Sequence, residues 1–198
     1  MMRTEFGDIR NRKELQNRSF EVIGSIDTDR TSLLNYYAER YDKQDVCRIE
    51  YTDNGKSIVD TLIDLEDRII NVTNYLKERD MEAFDIYWQT IPKLILIDNL
   101  DNYMTGSDQF MIRAVIRNIL SMTSDIGVRL IYSTSAPLWL FDIDFVILRD
   151  FESTDYYQVW NQFNFSDIHD IYKIRAGNGF YFQLGEKNPI DFNFECHM

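Results

Sequence analysis

Lys93-Leu94-Ile95-Leu96-Ile97-Asp98-Asn99-Leu100-Asp101 is the stretch on which the reading of this chain turns. Four consecutive apolar residues, Leu94 to Ile97, predict a strand buried on both faces, with Asp98 delivered at its C-terminal edge. Open α/β sheets bind ligands at that edge, so Asp98 is placed where a phosphate-bound metal is met. A carboxylate that only caps backbone groups at a strand edge leaves the same trace, and the choice between the two depends on what lies upstream.

Upstream, Phe20-Glu21-Val22-Ile23-Gly24 predicts a short strand ending in glycine, and from Thr31 onward Leu33, Leu34, Tyr37, Ala38 and Tyr41 recur at helical spacing. The turn between them, Gly24-Ser25-Ile26-Asp27-Thr28-Asp29-Arg30-Thr31, stands where a phosphate loop belongs, between a strand and a helix. A working loop needs a first glycine, a second five positions on, then Lys and Ser/Thr, because its backbone N–H groups wrap the phosphates, the ammonium neutralises them and the hydroxyl holds Mg²⁺. Gly24 and Thr31 keep their places, while Asp29 replaces the second glycine and Arg30 the lysine. Asp27 and Asp29 put like charges where phosphate would sit, and Asp29 adds a Cβ where the backbone must come close. The planar Arg30 fork is a poor copy of a point charge. The alternative is a structural turn in which Thr28 or Asp29 caps the helix that follows.

Further along, Val46 to Tyr51 predicts a strand, closed by the turn Asp53-Asn54-Gly55. Ser57 and Asp60 open a long helix whose inner face is Ile58, Leu62, Leu65, Ile69, Val72 and Leu76. Phe84, Tyr87 and Trp88 read as core and helix packing in a segment over residues 81–89. After a loop at Tyr103 to Ser107, with Ser107 or Asp108 as cap, a helix from Phe110 to Met122 turns Ile112, Val115, Ile116, Ile119 and Leu120 inward, and Gly127 closes it. Strands follow at Val128 to Ser133, Phe145 to Arg149 and Phe180 to Leu184, the last introduced by Gly177-Asn178-Gly179. Alternating strands and helices predict an α/β fold with a mainly parallel sheet and helices on both faces.

Composition agrees with one folded unit. The 198 residues suffice for a single core burying roughly 70% of the extended surface, and 44% of them are hydrophobic, including 13 Phe and 12 Tyr. Residues 1–19 read as a polar lead-in or linker and residues 20–198 as one domain; the short approach to the first core strand suggests a domain excised from a longer chain. Acids outnumber bases by 33 to 21, a formal charge of −12, which argues against nonspecific binding to a phosphate backbone and leaves only a local basic groove open. Cys47 and Cys196 have no metal-ligand spacing and read as ordinary reduced thiols, and His169 and His197 are too isolated to act as ligands. No stretch is long and apolar enough to span a membrane.

Taken in order, these weak motifs resemble the RecA-like motor domain of the FtsK/SpoIIIE family of P-loop ATPases. Within it they are most similar to the degenerate C-terminal ATPase module of type VII (ESX-like) secretion ATPases of the EssC/EccC/YukB kind. The resemblance runs from Phe20 to Phe194 and rests on the loop Gly24 to Thr31, the strand Leu94 to Asn99, the segment Thr123 to Pro137, and the turn and strand Arg175 to Phe182. It implies that Asn99 stands where a glutamate would deprotonate the attacking water, which an amide cannot do. It also implies that Ser135 replaces a γ-phosphate sensor glutamine, Ala136 the adjacent arginine, and Ser124 a further arginine. No catalytic residue and no bound metal is expected. Thr31 and Asp98 leave weak binding of ATP and Mg²⁺ open.

Two functions follow from the resemblance. The first is a catalytically silent or very weak ATPase-like module of a secretion motor, acting in assembly, regulation or partner recognition, as the cytoplasmic part of a membrane-anchored protein. Its expected partners are adjoining ATPase domains of the same secretion protein and secreted WXG100-like substrates, with no nucleic acid. Arg149, Phe151, Tyr156, Tyr157 and Trp160 offer an aromatic partner surface, or equally a final helix packed on the sheet. The second is a weak Mg-ATP-binding ATPase completed by a neighbouring subunit that supplies an arginine. DNA translocation is disfavoured by the charge.

Overall fold

The computed structural model describes residues 15, 17–24, 29–50, 58–104, 106–135, 143–147, 178–183 and 190–193. Among them lies a seven-stranded sheet: β1 (Phe20–Ile23), β2 (Val46–Ile49), β3 (Leu94–Ile97), β4 (Arg129–Thr134), β5 (Asp144–Ile147), β6 (Asn178–Phe182) and β7 (Ile190–Asn193). The spatial order is β2-β3-β4-β1-β5-β6-β7. The first five of these run parallel, and β6 and β7 close one side antiparallel. The strand carrying Asp98 is therefore separated from the strand leading into Gly24 by β4 alone.

Among the described residues the helices are α1 (Asp29–Ala38), α2 (Ile58–Glu78), α3 (Met81–Trp88) and α4 (Gln109–Ile126), with short 3₁₀ turns at Lys43–Asp45 and Leu100–Tyr103. Strand residues alternate between two cores. Ile49, Ile95, Ile97, Leu130 and Tyr132 pack under α2 and α4, against Leu62, Leu65, Ile69, Ile112 and Ile116. Phe20, Val22, Leu94, Leu96, Ile131, Val146 and Tyr181 pack under α1, against Leu33, Leu34 and Tyr37. The predicted α/β architecture with helices on both faces is what the chain adopts, because β3 and β4 are buried on both sides as their apolar runs require.

Several boundaries moved for local reasons. Helix α4 runs to Ile126 and ends on Gly127 at φ 71°, a left-handed conformation that glycine adopts without a Cβ penalty. Asp108 stands at its N-cap but makes no capping bond and accepts from Ser107 Oγ instead. Tyr87, read as core, is 46% exposed and stacks on Tyr75 with ring centroids 5.0 Å apart, while Phe84 and Trp88 pack on the core as expected. Strand β6 starts early because Asn178 and Gly179 pair with Asn193 and Phe192 of β7. That last strand was not anticipated, although Ile190-Asp191-Phe192-Asn193 alternates as a strand does.

The lead-in also contributes. Leu15 is fully buried in the α1-side core, and the Arg129 guanidinium donates to the carbonyls of Leu15 and Arg18 and to the Tyr41 hydroxyl. Ser19 Oγ accepts from Leu130 N at 2.9 Å.

Candidate functional site

The C-terminal ends of the parallel strands, with the start of α1 above them, bring Thr31, Asp98 and Asn99 together. Thr31 lies in the first turn of α1, and its Oγ1 donates to Asp98 Oδ2 at 3.1 Å. The other carboxylate oxygen, Oδ1, accepts from Ser133 Oγ at 2.6 Å, and that same hydroxyl oxygen accepts from Asn99 N at 2.9 Å. Asp98 is thus held by side-chain hydroxyls from two other elements, and the backbone-cap alternative drops out as its main role. Its own N–H extends the sheet by donating to Ile49 O at 3.1 Å.

Arg30, at the lysine position, is 1% exposed and donates from Nη2 to Asn99 Oδ1 at 2.6 Å. Asn99 itself sits at φ 53°, ψ 54°, left-handed backbone that Asn tolerates better than most side chains. Gly24 closes the other side, its N–H bonded to Thr134 O at 3.2 Å. Asp29 opens α1, and the loop over residues 25–28 lies outside the described residues.

Residues that the sequence did not flag complete the site. Arg48 of β2 faces α1, as does Leu96 beside it in register, and places Nη2 3.7 Å from Asp98 Oδ2. Its Nη1 donates to Asn35 Oδ1 of α1, and its Nε pairs with Glu50 Oε1 at 2.6 Å. Asp101 Oδ2 accepts from the amide N of Ser135, at 3.1 Å, and from its hydroxyl, so the sensor-position serine is tied to the loop after β3. Ser133 could have been suspected from its position at the end of a predicted strand. Arg48 and Asp101 could not, because only the strand order sets them beside Asp98 and Ser135.

A second polar cluster lies beneath, on the α2/α4 side. Glu21, 3% exposed on β1, accepts from Thr134 Oγ1 at 2.7 Å and Tyr132 OH at 3.2 Å. Burial pushes the Tyr132 phenol well above its usual value, and the neighbouring Glu21 carboxylate adds to the rise. Ser124 stands apart: it is exposed in the last turn of α4, which feeds the opposite edge of the sheet, and its Oγ donates to Asp125 Oδ1 at 3.4 Å. Arg149, Phe151, Tyr156, Tyr157 and Trp160, with Ala136, lie outside the described residues.

No protein-family model and no curated protein matches this sequence. Solved structures do. The genome-packaging NTPase of Sulfolobus turreted icosahedral virus 2, in complex with ATP-gammaS, matches with a TM-score of 0.54 at 10% identity, over 90% of this chain and 98% of that one. The DNA-packaging ATPase of Sulfolobus turreted icosahedral virus matches at 0.52 and 11% identity, over 89% of this chain and 97% of that one. EccC of Thermomonospora curvata, ATPases 2 and 3 in complex with a signal sequence peptide, matches at 0.52 and 13% identity, over 92% of this chain and 37% of that one. The likeness is one of fold: the chain has the α/β fold of RecA-like P-loop NTPases. Among the described residues no helix is long and apolar enough to cross a membrane.

These likenesses overturn the expected partner set. Adjoining secretion ATPase domains and WXG100-like proteins, with nucleic acid excluded, were inferred from motif order and from the charge of −12. The structures matched almost end to end are instead genome- and DNA-packaging enzymes, so nucleic acid cannot be struck from the contacts of this fold. The physical reason is that a formal charge sums over the whole surface, whereas contact with a phosphate backbone depends on the few side chains that line one groove.

The fold implies a nucleotide with Mg²⁺, and among the described residues the groups suited to its cation are Thr31 and Asp98. Thr31 and Asp98 have the hydroxyl and carboxylate chemistry for a hard cation. Arg48 brings a fixed positive charge to the same carboxylate oxygen, Arg30 is engaged with Asn99, and Asn99 has no proton-accepting capacity for hydrolysis.

Proposed function

We propose that this chain is a catalytically silent P-loop-ATPase-fold module of a motor that moves a polymer, acting through its shape in assembly or regulation and not through ATP turnover. One observation carries the reading: both oxygens of Asp98 are engaged by the chain's own groups, Ser133, Thr31 and Arg48, while the position of the water-activating base holds an amide that already accepts from Arg30. Packaging and secretion ATPases of the same fold support the motor context. Assignment to the type VII secretion motors, as part of a membrane-anchored parent, draws further on the motif order in the sequence.

The competing reading is a weak Mg-ATP-binding ATPase completed by a neighbouring subunit, favoured by the intact Thr31–Asp98 pair at 3.1 Å. Titration calorimetry with Mg-ATP separates the two. A silent module shows no binding tighter than about 100 µM, equivalent to roughly 5.5 kcal/mol. Tighter binding, with hydrolysis lost in Asp98→Ala, overturns the proposal.

A further inference from the structure

We infer that Arg48 is a built-in cation that keeps a latent divalent-cation site at Asp98 closed, and that neutralising it opens the site to Mn²⁺ or Mg²⁺. The inference rests on the silent reading above and names the residue responsible for one half of it.

The geometry is specific. Thr31 Oγ1 and Arg48 Nη2 converge on the same carboxylate oxygen, Asp98 Oδ2, at 3.1 and 3.7 Å. Ser133 meanwhile fixes the other oxygen at 2.6 Å and so sets the rotation of the carboxylate. A hard divalent cation bound by a hydroxyl and a carboxylate has to occupy the space in front of Oδ2. The Arg48 guanidinium already stands beside that space, and two positive groups on one carboxylate oxygen repel strongly in a partly buried setting. Arg48 is also steadied there. Its side chain is only 24% exposed, its Nη1 is bonded to Asn35 on α1, and its Nε is paired with Glu50 at 2.6 Å. Contacts to Asn35 on α1, to Glu50 just after β2 and to Asp98 just after β3 hold the guanidinium beside the carboxylate.

Mn²⁺ binding followed by electron paramagnetic resonance tests this in wild type, Arg48→Gln, Arg48→Met, Arg48→Lys and Arg48→Gln/Asp98→Asn, each checked for folding by circular dichroism. Gln and Met remove the charge with similar bulk, so a folding failure in one leaves the other to report. The expected result is Mn²⁺ affinity at least tenfold tighter in Arg48→Gln and Arg48→Met than in wild type. The Lys variant should stay closed, and the Asp98→Asn double variant should lose the gain. Unchanged affinity in the folded Gln and Met variants overturns the inference, as does opening in the Lys variant, which would point to bulk in place of charge. Wild-type calorimetry with Mg-ATP is read separately: tight nucleotide binding there defeats the silent reading, whereas a flat Arg48 series defeats only the role given to Arg48.

Discussion

Thr134 Oγ1 donates to Glu21 Oε1 at 2.7 Å, across 113 residues of sequence, and so bolts the end of β4 to the strand that leads into Gly24. The carboxylate is 3% exposed in an otherwise apolar layer, where an ionised group is tolerated only with its donors in place. Thr134→Val keeps the shape and removes the donor. Urea denaturation should show a loss of about 1–3 kcal/mol, the usual cost of stranding a buried polar group; a neutral result would mean that Glu21 does not depend on this bond.

Tyr132 gives the same cluster a pH signature. An unfolded tyrosine ionises near about pH 10, while the folded Tyr132 phenol is held protonated well above that by burial and by Glu21. Above the unfolded value the native state therefore binds more protons than the unfolded one, so stability falls as pH rises. Below it the contribution is fully present. Unfolding free energies measured from roughly pH 8 to roughly pH 11 should decline less steeply above about pH 10 in Tyr132→Phe than in wild type. Parallel curves would contradict the assignment.

Asn99 combines two costs that substitution can separate. Its left-handed backbone favours glycine, and its side chain is the acceptor for the buried Arg30 Nη2. Asn99→Gly relieves the first and loses the second; Asn99→Ala loses the acceptor and keeps the strain. The alanine variant should be less stable than the glycine variant by about 1 kcal/mol in chemical denaturation. Equal stabilities would show that the turn relaxes out of the left-handed region.

Arg129 and Leu15 should behave as one unit, because the guanidinium holds the Leu15 carbonyl while the Leu15 side chain fills the core beneath α1. Leu15→Ala should cost about 2–5 kcal/mol by cavity formation. Arg129→Met should cost about 3 kcal/mol through lost charged hydrogen bonds. The double variant should fall short of their sum by at least about 0.5 kcal/mol; strict additivity in a thermal or urea series would rule out the coupling.

The elements were legible in the sequence where a single physical signal dominated. Leu94 to Ile97 had to be a strand because a short apolar run is stable only when covered on both faces, and α2 and α4 announced themselves through the 3.6-residue spacing of Ile58 to Val72 and Ile112 to Ile119. Asp98 at a strand edge and Thr31 in the first turn of α1 followed from order along the chain alone. Glu21 was the exception within a well-read strand: alternation suggests that a charged side chain points outward, but a sheet with helices on both faces has no outward side, so the acid is buried and needs Tyr132 and Thr134.

By itself, then, the sequence indicated most of the strands and helices, β7 excepted, and the residue types that stand in the turn after Gly24 and in the position after Asp98, since both are local properties of neighbouring residues. Tertiary structure alone decided what Asp98 meets. Arg48, Ser133 and Asn35 come from elements dozens of residues away and are brought together by the strand order β2-β3-β4-β1 and by the packing of α1 across it. Pairing between distant strands is set by the balance of the whole buried surface, and that balance is not written in any one stretch of the chain.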